Sequence, residues 1–142
     1  MRLQVASRLA IFALIELARD PEQKLSVGEI GDKFGVSSHH LAKVMHALGR
    51  AGLVRSVRGV GGGYRFAGNV RRVTLLDVVN LFEDISAVEG ERSGTAEATD
   101  AGQALGVVLD EIDDIARATL GSITIATMLK LMDRQKSGGT KS

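Results

Sequence analysis

A mainly α-helical fold with one small β-hairpin is what this sequence predicts, and three observations predict it. Apolar residues recur at three- and four-residue spacing through four separate stretches of the 142-residue chain. Ser or Thr caps mark helix starts, and glycines mark stops. Only one stretch, around the glycine-rich run 59–63, places β-type residues on both sides of a turn.

The elements follow in order. Leu3, Ala6, Ala10, Ala13, Leu14 and Leu17 form the apolar face of a first helix that ends before Pro21. Ser26-Val27-Gly28-Glu29 reads as a capping box and opens a short helix whose apolar positions are Val27, Ile30 and Phe34. Gly35 stops it. Ser37 or Ser38 caps a third helix with Leu41, Val44, Met45 and Leu48 on one face, and Gly52 stands where a left-handed residue would end it. Residues 26–52 therefore read as helix, short turn at Phe34-Gly35-Val36, helix: the helix-turn-helix pattern, whose second helix enters the DNA major groove.

Leu53 to Arg58 and Tyr64 to Phe66 then flank Gly59-Val60-Gly61-Gly62-Gly63, a hairpin directly behind the second helix, which makes it a wing. Thr74 to Asp77 resembles a further cap, opening a short helix to about Phe82. Residues 85–101 are polar, small and acidic and read as a loop. Leu105, Val108, Leu109, Ile112, Ile115, Ala116 and Thr119 mark a long amphipathic helix, continued by an apolar segment from Ile123 to Met132. Residues 134–142 are polar and expected to be a disordered tail. The expected organisation is a winged helix-turn-helix unit over 1–84, the loop over 85–101, C-terminal helices over 102–133 and the tail.

Composition narrows the function. Aromatic residues are 4% of the chain, so the core is aliphatic, and there is no cysteine, which excludes disulfides, thiol catalysis and thiolate-held metal. No targeting segment is expected: the apolar run from Leu9 to Ile15 is interrupted by Glu16 and fits a helix stripe. A cytoplasmic protein is the reading. The net charge of +1 hides a division: residues 1–72 hold 12 basic and 5 acidic residues, residues 73–142 hold 6 and 12. No acid occurs between Asp32 and Asp77, a stretch with Lys33, Lys43, Arg50, Arg55, Arg58, Arg65, Arg71 and Arg72. Such a basic half is the footprint of a polyanion-binding surface.

Ser56-Val57-Arg58-Gly59-Val60-Gly61-Gly62-Gly63-Tyr64-Arg65 closely resembles the wing motif S-V-R-G-x-G-G-G-Y of the Rrf-two family of bacterial winged-helix regulators. Met1-Arg2-Leu3, Arg50-Ala51-Gly52-Leu53-Val54 and Ser122-Ile123-Thr124-Ile125 fit the same family, so the resemblance spans about residues 1–132. Ser37 to Val44 looks most like the nitric-oxide-sensing branch. The resemblance implies a homodimeric transcription regulator, a repressor, reading a palindromic operator, with the long C-terminal helix as dimerisation helix. The apolar stripe over 105–119 supports this, being wider than a small wing unit needs. A two-fold dimer would set its recognition helices about one DNA turn, ~34 Å, apart. Many relatives hold an iron–sulfur cluster on three cysteines in the loop before the long helix. This loop has none, so cluster sensing does not carry over. The chain is either a cluster-free member or one whose cysteines were replaced.

The expected double-stranded-DNA contacts are Ser37, Ser38, His39, His40 and Lys43 on the recognition helix and Arg55, Arg58, Gly61, Gly62 and Arg65 on the wing. Arg2 and Arg8 could reach phosphate from the first helix, and Tyr64 reads as packing at the base of the wing. The expected dimer interface is Leu105, Val108, Leu109, Ile112, Ile115 and Thr119. No catalytic residue, metal site or cofactor is expected. The glycine run lacks the G-K-[ST] of a phosphate loop, and a strand rather than a helix follows it. His39 and His46 lack a third ligand at metal-binding spacing. Asp110, Glu111, Asp113 and Asp114 read as the solvated face of the long helix. Two alternatives stand beside the regulator: a protein acting mainly through a protein partner of its acidic half, and a cluster or haem sensor with non-cysteine ligands.

Overall fold

The structure, a computed structural model, describes residues 2–85 and 93–139. Its elements are helices α1 (Val5–Ala18), α2 (Val27–Phe34) and α3 (Ser38–Arg50), strands β1 (Val54–Val57) and β2 (Gly63–Phe66), and helices α4 (Leu75–Val79), α5 (Asp100–Ser122) and α6 (Ile125–Gly139). This is the mainly helical, hairpin-bearing winged fold that the sequence predicts.

Local signals act where the sequence puts them. Ser26 accepts from the Glu29 amide at 3.0 Å while the Glu29 carboxylate accepts from the Ser26 amide at 3.2 Å, closing the capping box of α2. Gly35 ends α2 in the left-handed region, at φ 67°. At the end of α3, the Gly52 amide donates to the Gly49 carbonyl and the Leu53 amide to the Leu48 carbonyl, both at 3.0 Å. That Schellman pair needs Gly52 at its φ of 78°. Thr74 and Asp77 form the second reciprocal capping box. On α3, Leu41, Val44, Met45 and Leu48 are all buried as the spacing requires.

The first helix differs from its reading. Ala10, Ala13, Leu14 and Leu17 are buried, but so are Ser7, Leu9, Ile11, Ile15 and Ala18. A helix apolar nearly all round is an interior helix: α1 touches α3, α4, α6 and β2 and so forms the centre of the core. Its N-terminus is held by Glu83, whose Oε2 accepts from the Gln4 amide at 2.8 Å and from the Ser7 hydroxyl at 2.5 Å.

Three boundaries also differ. α4 stops at Val79 and turns follow, where a helix to about Phe82 is expected. α5 starts at Asp100, capped by Thr99, whose hydroxyl accepts from the Gly102 amide at 3.1 Å, so the helix enters the expected loop over 85–101. Residues 86–92 of that loop lie outside the described residues. α6 continues to Gly139, past the expected start of the tail at 134: the polar residues Arg134 to Lys136 extend the helix, because an exposed turn needs no apolar side chains.

Two short bridges join the parts. Leu25, just before α2, pairs with Tyr64 through hydrogen bonds of 3.0 and 2.8 Å, tying the wing to the helix pair. The segment between α5 and α6 pairs with the segment before α4: the Leu75 amide donates to the Ile123 carbonyl at 2.9 Å and the Ile125 amide to the Val73 carbonyl at 3.0 Å. These bonds, with the complete burial of Ile125, hold the root of α6 on the winged unit. α5, in contrast, buries no residue of its own.

Candidate nucleic-acid interface

The candidate interface is built on α3 and the hairpin. Ser37 caps α3, accepting from the His40 amide at 3.2 Å. With the four apolar residues turned to the core, the opposite side of α3 carries His39, Lys43, His46 and Arg50 at successive intervals of four, three and four residues, all exposed. Ala42 and Gly49 flank this stripe and keep one side of it low. The expected contacts Ser37, Ser38, His39, His40 and Lys43 are all exposed.

The hairpin register pairs Val54 with Phe66, Arg55 with Arg65, Ser56 with Tyr64 and Val57 with Gly63. Residues opposite each other share a face, so Val54 and Phe66, both buried, pin one face to the core and Arg55 and Arg65 stand together on the other. Arg55 is exposed; Arg65 is half-buried, with its Nε enclosed and without a hydrogen-bond partner. Arg58 is exposed at the tip. The tip is tight: Gly61 has φ 72°, and a Cβ on Gly62 would stand 2.5 Å from the Val57 carbonyl oxygen. Both positions require glycine, for conformation and for space. Tyr64 is half-buried at the base of the wing, as expected.

Arg2 and Arg8 are exposed and line a depression on α1 with Leu3, Ile11, Phe12, Leu75 and Met128. The Arg8 guanidinium lies 5.9 Å from the Phe12 ring centre, and Phe12 stacks on Phe34 at 5.4 Å. Glu16 of α1 pairs with Lys33 of α2 at 2.7 Å, joining the two helices, and with Arg19 at the end of its own helix at 3.4 Å.

Sequence reasoning left two residues out of the site. His46 and Arg50 continue the exposed stripe of His39 and Lys43, and with Gly49, Arg55, Ser56 and Tyr64 they line a cleft between α3 and β1. The signal was present: counting on from His39 by helical steps of seven and eleven reaches both.

On α5, Leu105, Val108, Ile112 and Ile115 are 52, 52, 54 and 60% exposed, Thr119 is exposed and Leu109 is half-buried. They form one stripe; Asp110 and Asp114 lie on the opposite side of the helix, and Glu111 and Asp113 flank the stripe. Leu76 of α4 meets α5 near its end, at Gly121, and Leu120 packs against the core. Among the described residues Leu105, Val108, Ile112 and Ile115 are left largely uncovered.

No helix is long and apolar enough to cross a membrane among the described residues. Residues 3–131 match the model of the Rrf2 family, described as an iron-dependent transcriptional regulator. The chain is 47% identical over 136 residues to BadM of Rhodopseudomonas palustris, named as an HTH-type transcriptional regulator, covering 96% of this chain and 86% of that protein. Among solved structures it is similar to CymR, the global cysteine regulator of B. subtilis, with TM-score 0.75 and 26% identity over 92% of this chain and 98% of that one. It is also similar to IscR of T. potens, with TM-score 0.72 and 26% identity over 92% of this chain and 87% of that one. Iron–sulfur clusters are held mainly by cysteine thiolates. This chain has no cysteine, and no three of its described His, Asp and Glu residues converge, so its donor set does not fit such a cluster. Winged fold, basic recognition surface and match across nearly the whole chain agree: the protein belongs to the Rrf2 family of DNA-binding transcriptional regulators and is not an enzyme.

Proposed function

We propose that the protein is a homodimeric repressor that reads an inverted-repeat operator. In each protomer the first half of α3, Ser37 to Lys43, enters the major groove, and the wing arginines Arg55, Arg58 and Arg65 hold the flanking backbone. Gly61 and Gly62 let backbone amides approach phosphate closely. The two protomers join along the α5 stripe of Leu105, Val108, Leu109, Ile112, Ile115 and Thr119. One observation carries this reading: a winged unit with no acid between Asp32 and Asp77 is attached to a 23-residue helix in which no residue is fully buried and Leu105, Val108, Ile112 and Ile115 stand more than half exposed. An exposed apolar stripe of that length calls for a partner, and a second copy supplies an identical stripe about a two-fold axis. Repression is the simplest outcome, because a dimer seated across a promoter excludes other proteins by volume alone.

The test is selection of duplexes from a random library by the purified protein at about 150 mM salt, where non-specific binding falls to about 10⁻⁴–10⁻⁶ M. Recovery of an inverted repeat with half-sites one turn apart is expected. Recovery of isolated half-sites refutes the dimer, and recovery of no common sequence refutes specific reading. A reporter driven from a promoter overlapping the recovered site should fall when the protein is expressed; a rise refutes repression.

A further inference from the structure

The cleft between the second half of α3 and strand β1 has a composition unlike the rest of the surface. Its volume is about 360 Å³; His46, Gly49 and Arg50 line one side, Arg55, Ser56 and Tyr64 the other, and the buried Met45 and Val54 the floor. Every polar side chain in it can donate a hydrogen bond, and two are permanent cations. No carboxylate lines it. The ion pairs of Glu16 with Lys33 and Arg19 do not involve Arg50 or Arg55. Gly49 adds room: a Cβ there would meet nothing nearer than the Val54 methyl at 4.0 Å.

One feature opposes an anion in this place. The cleft lies beside the C-terminus of α3, where the helix dipole places about half a negative charge. Two full positive charges outweigh it. The carbonyls at issue are also engaged, Leu48 and Gly49 accepting from the Leu53 and Gly52 amides.

We infer that this cleft is a phosphodiester site: it seats one strand of the DNA backbone between α3 and the wing, with Arg50 and Arg55 on the phosphate oxygens and His46 and Ser56 as supporting donors. The inference rests on the DNA-binding reading above and divides the labour of α3. Residues 37–43 meet bases, while His46 and Arg50 on the same stripe meet backbone and contribute equally to every sequence. The Arg50 contact has a defined signature. Each phosphate neutralised adds about 0.9 to the slope of log affinity against log salt, which is roughly fivefold in affinity at 150 mM salt. In a two-fold dimer the loss occurs twice, giving a slope change of about 1.8 and a roughly thirtyfold weakening.

The experiment measures binding of full-length protein, Arg50→Gln and Arg50→Lys to the selected operator and to a random 30-bp duplex between 50 and 300 mM salt. Arg50 is exposed, and unchanged circular dichroism would show that the variants fold. Arg50→Gln is expected to weaken both duplexes by the same factor and flatten both slopes, while Arg50→Lys keeps most of the slope. Unchanged affinity and slope in Arg50→Gln overturn the site while leaving the regulator intact. Loss on the operator alone makes Arg50 a base reader and also overturns it. If no operator is recovered but random-duplex binding still falls in Arg50→Gln, specific regulation fails and the cleft stands. Absence of any duplex binding by the parent removes both.

Discussion

Gly31 sets the joint between α2 and α3, and replacing it with alanine tests that directly. Gly31 is buried, and a Cβ there would stand 2.7 Å from the carbonyl oxygen of Val36, with Leu41 Cδ2 at 3.9 Å. The clash is with backbone, so no rotamer change relieves it. The turn cannot simply retreat, because the Gly31 carbonyl accepts from the Val36 amide at 2.9 Å and from the Gly35 amide. Moving the turn away to relieve the clash lengthens those bonds. Overpacking costs about 1–3 kcal/mol; against hydrogen-bonded backbone that cannot retreat the upper part, about 2–3 kcal/mol, applies, offset by about 1 kcal/mol of improved helix propensity. Gly31→Ala should therefore be destabilised by about 1–2 kcal/mol, or roughly 3–8 °C in melting temperature for a chain of this size. Chemical denaturation followed by circular dichroism gives the number. Gly106 on α5 is the internal control: no atom lies within 4 Å of its ideal Cβ, so Gly106→Ala should be stabilised rather than damaged. If Gly31→Ala is as stable as the parent, the joint yields without loss and the close approach does not define it.

Other expectations follow from the same reasoning. Ile112 is 54% exposed, so its remaining burial in a dimer is worth about 1 kcal/mol per copy; Ile112→Asp loses this twice and places two carboxylates in the apolar seam, so sedimentation should show dimer association weakened at least about 100-fold. An unchanged mass and dissociation constant would remove α5 from the interface. Glu83 accepts from both Gln4 and Ser7, and Ser7 is fully buried; Glu83→Ala should lose about 2 kcal/mol, with Glu83→Gln in between because it retains an acceptor. Equal stability of Glu83→Ala and the parent would show that the carboxylate does not hold α1.

What was legible in the sequence is what acts over a few residues. The capping boxes at Ser26 and Thr74, the stop at Gly35, the cap at Gly52 and the glycine tip of the wing are short-range hydrogen-bond and steric problems. Each has few solutions, and the residue types at fixed spacing name them. The buried face of α3 followed from helical period, and with it the exposed stripe that a complete count would have carried to His46 and Arg50. The charge division required no structure at all.

Longer-range features needed the fold. Nothing local reveals that α1 is surrounded, because alanine, serine and leucine fit an interior helix as well as a surface one; contact with α3, α4, α6 and β2 decides it. Glu83 reaches residues 76 and 79 positions away, and the pairing of 73–75 with 123–125 joins segments about 50 residues apart. The α3–β1 cleft exists only because the hairpin register turns Val54 inward beside Gly49. The sequence by itself determined the helix-turn-helix, the wing and the basic half, since capping, periodicity and charge are properties of neighbouring residues. Only the tertiary structure decided that α6 is rooted on the winged unit while α5 is left uncovered, because that depends on which backbone groups meet when distant segments pack.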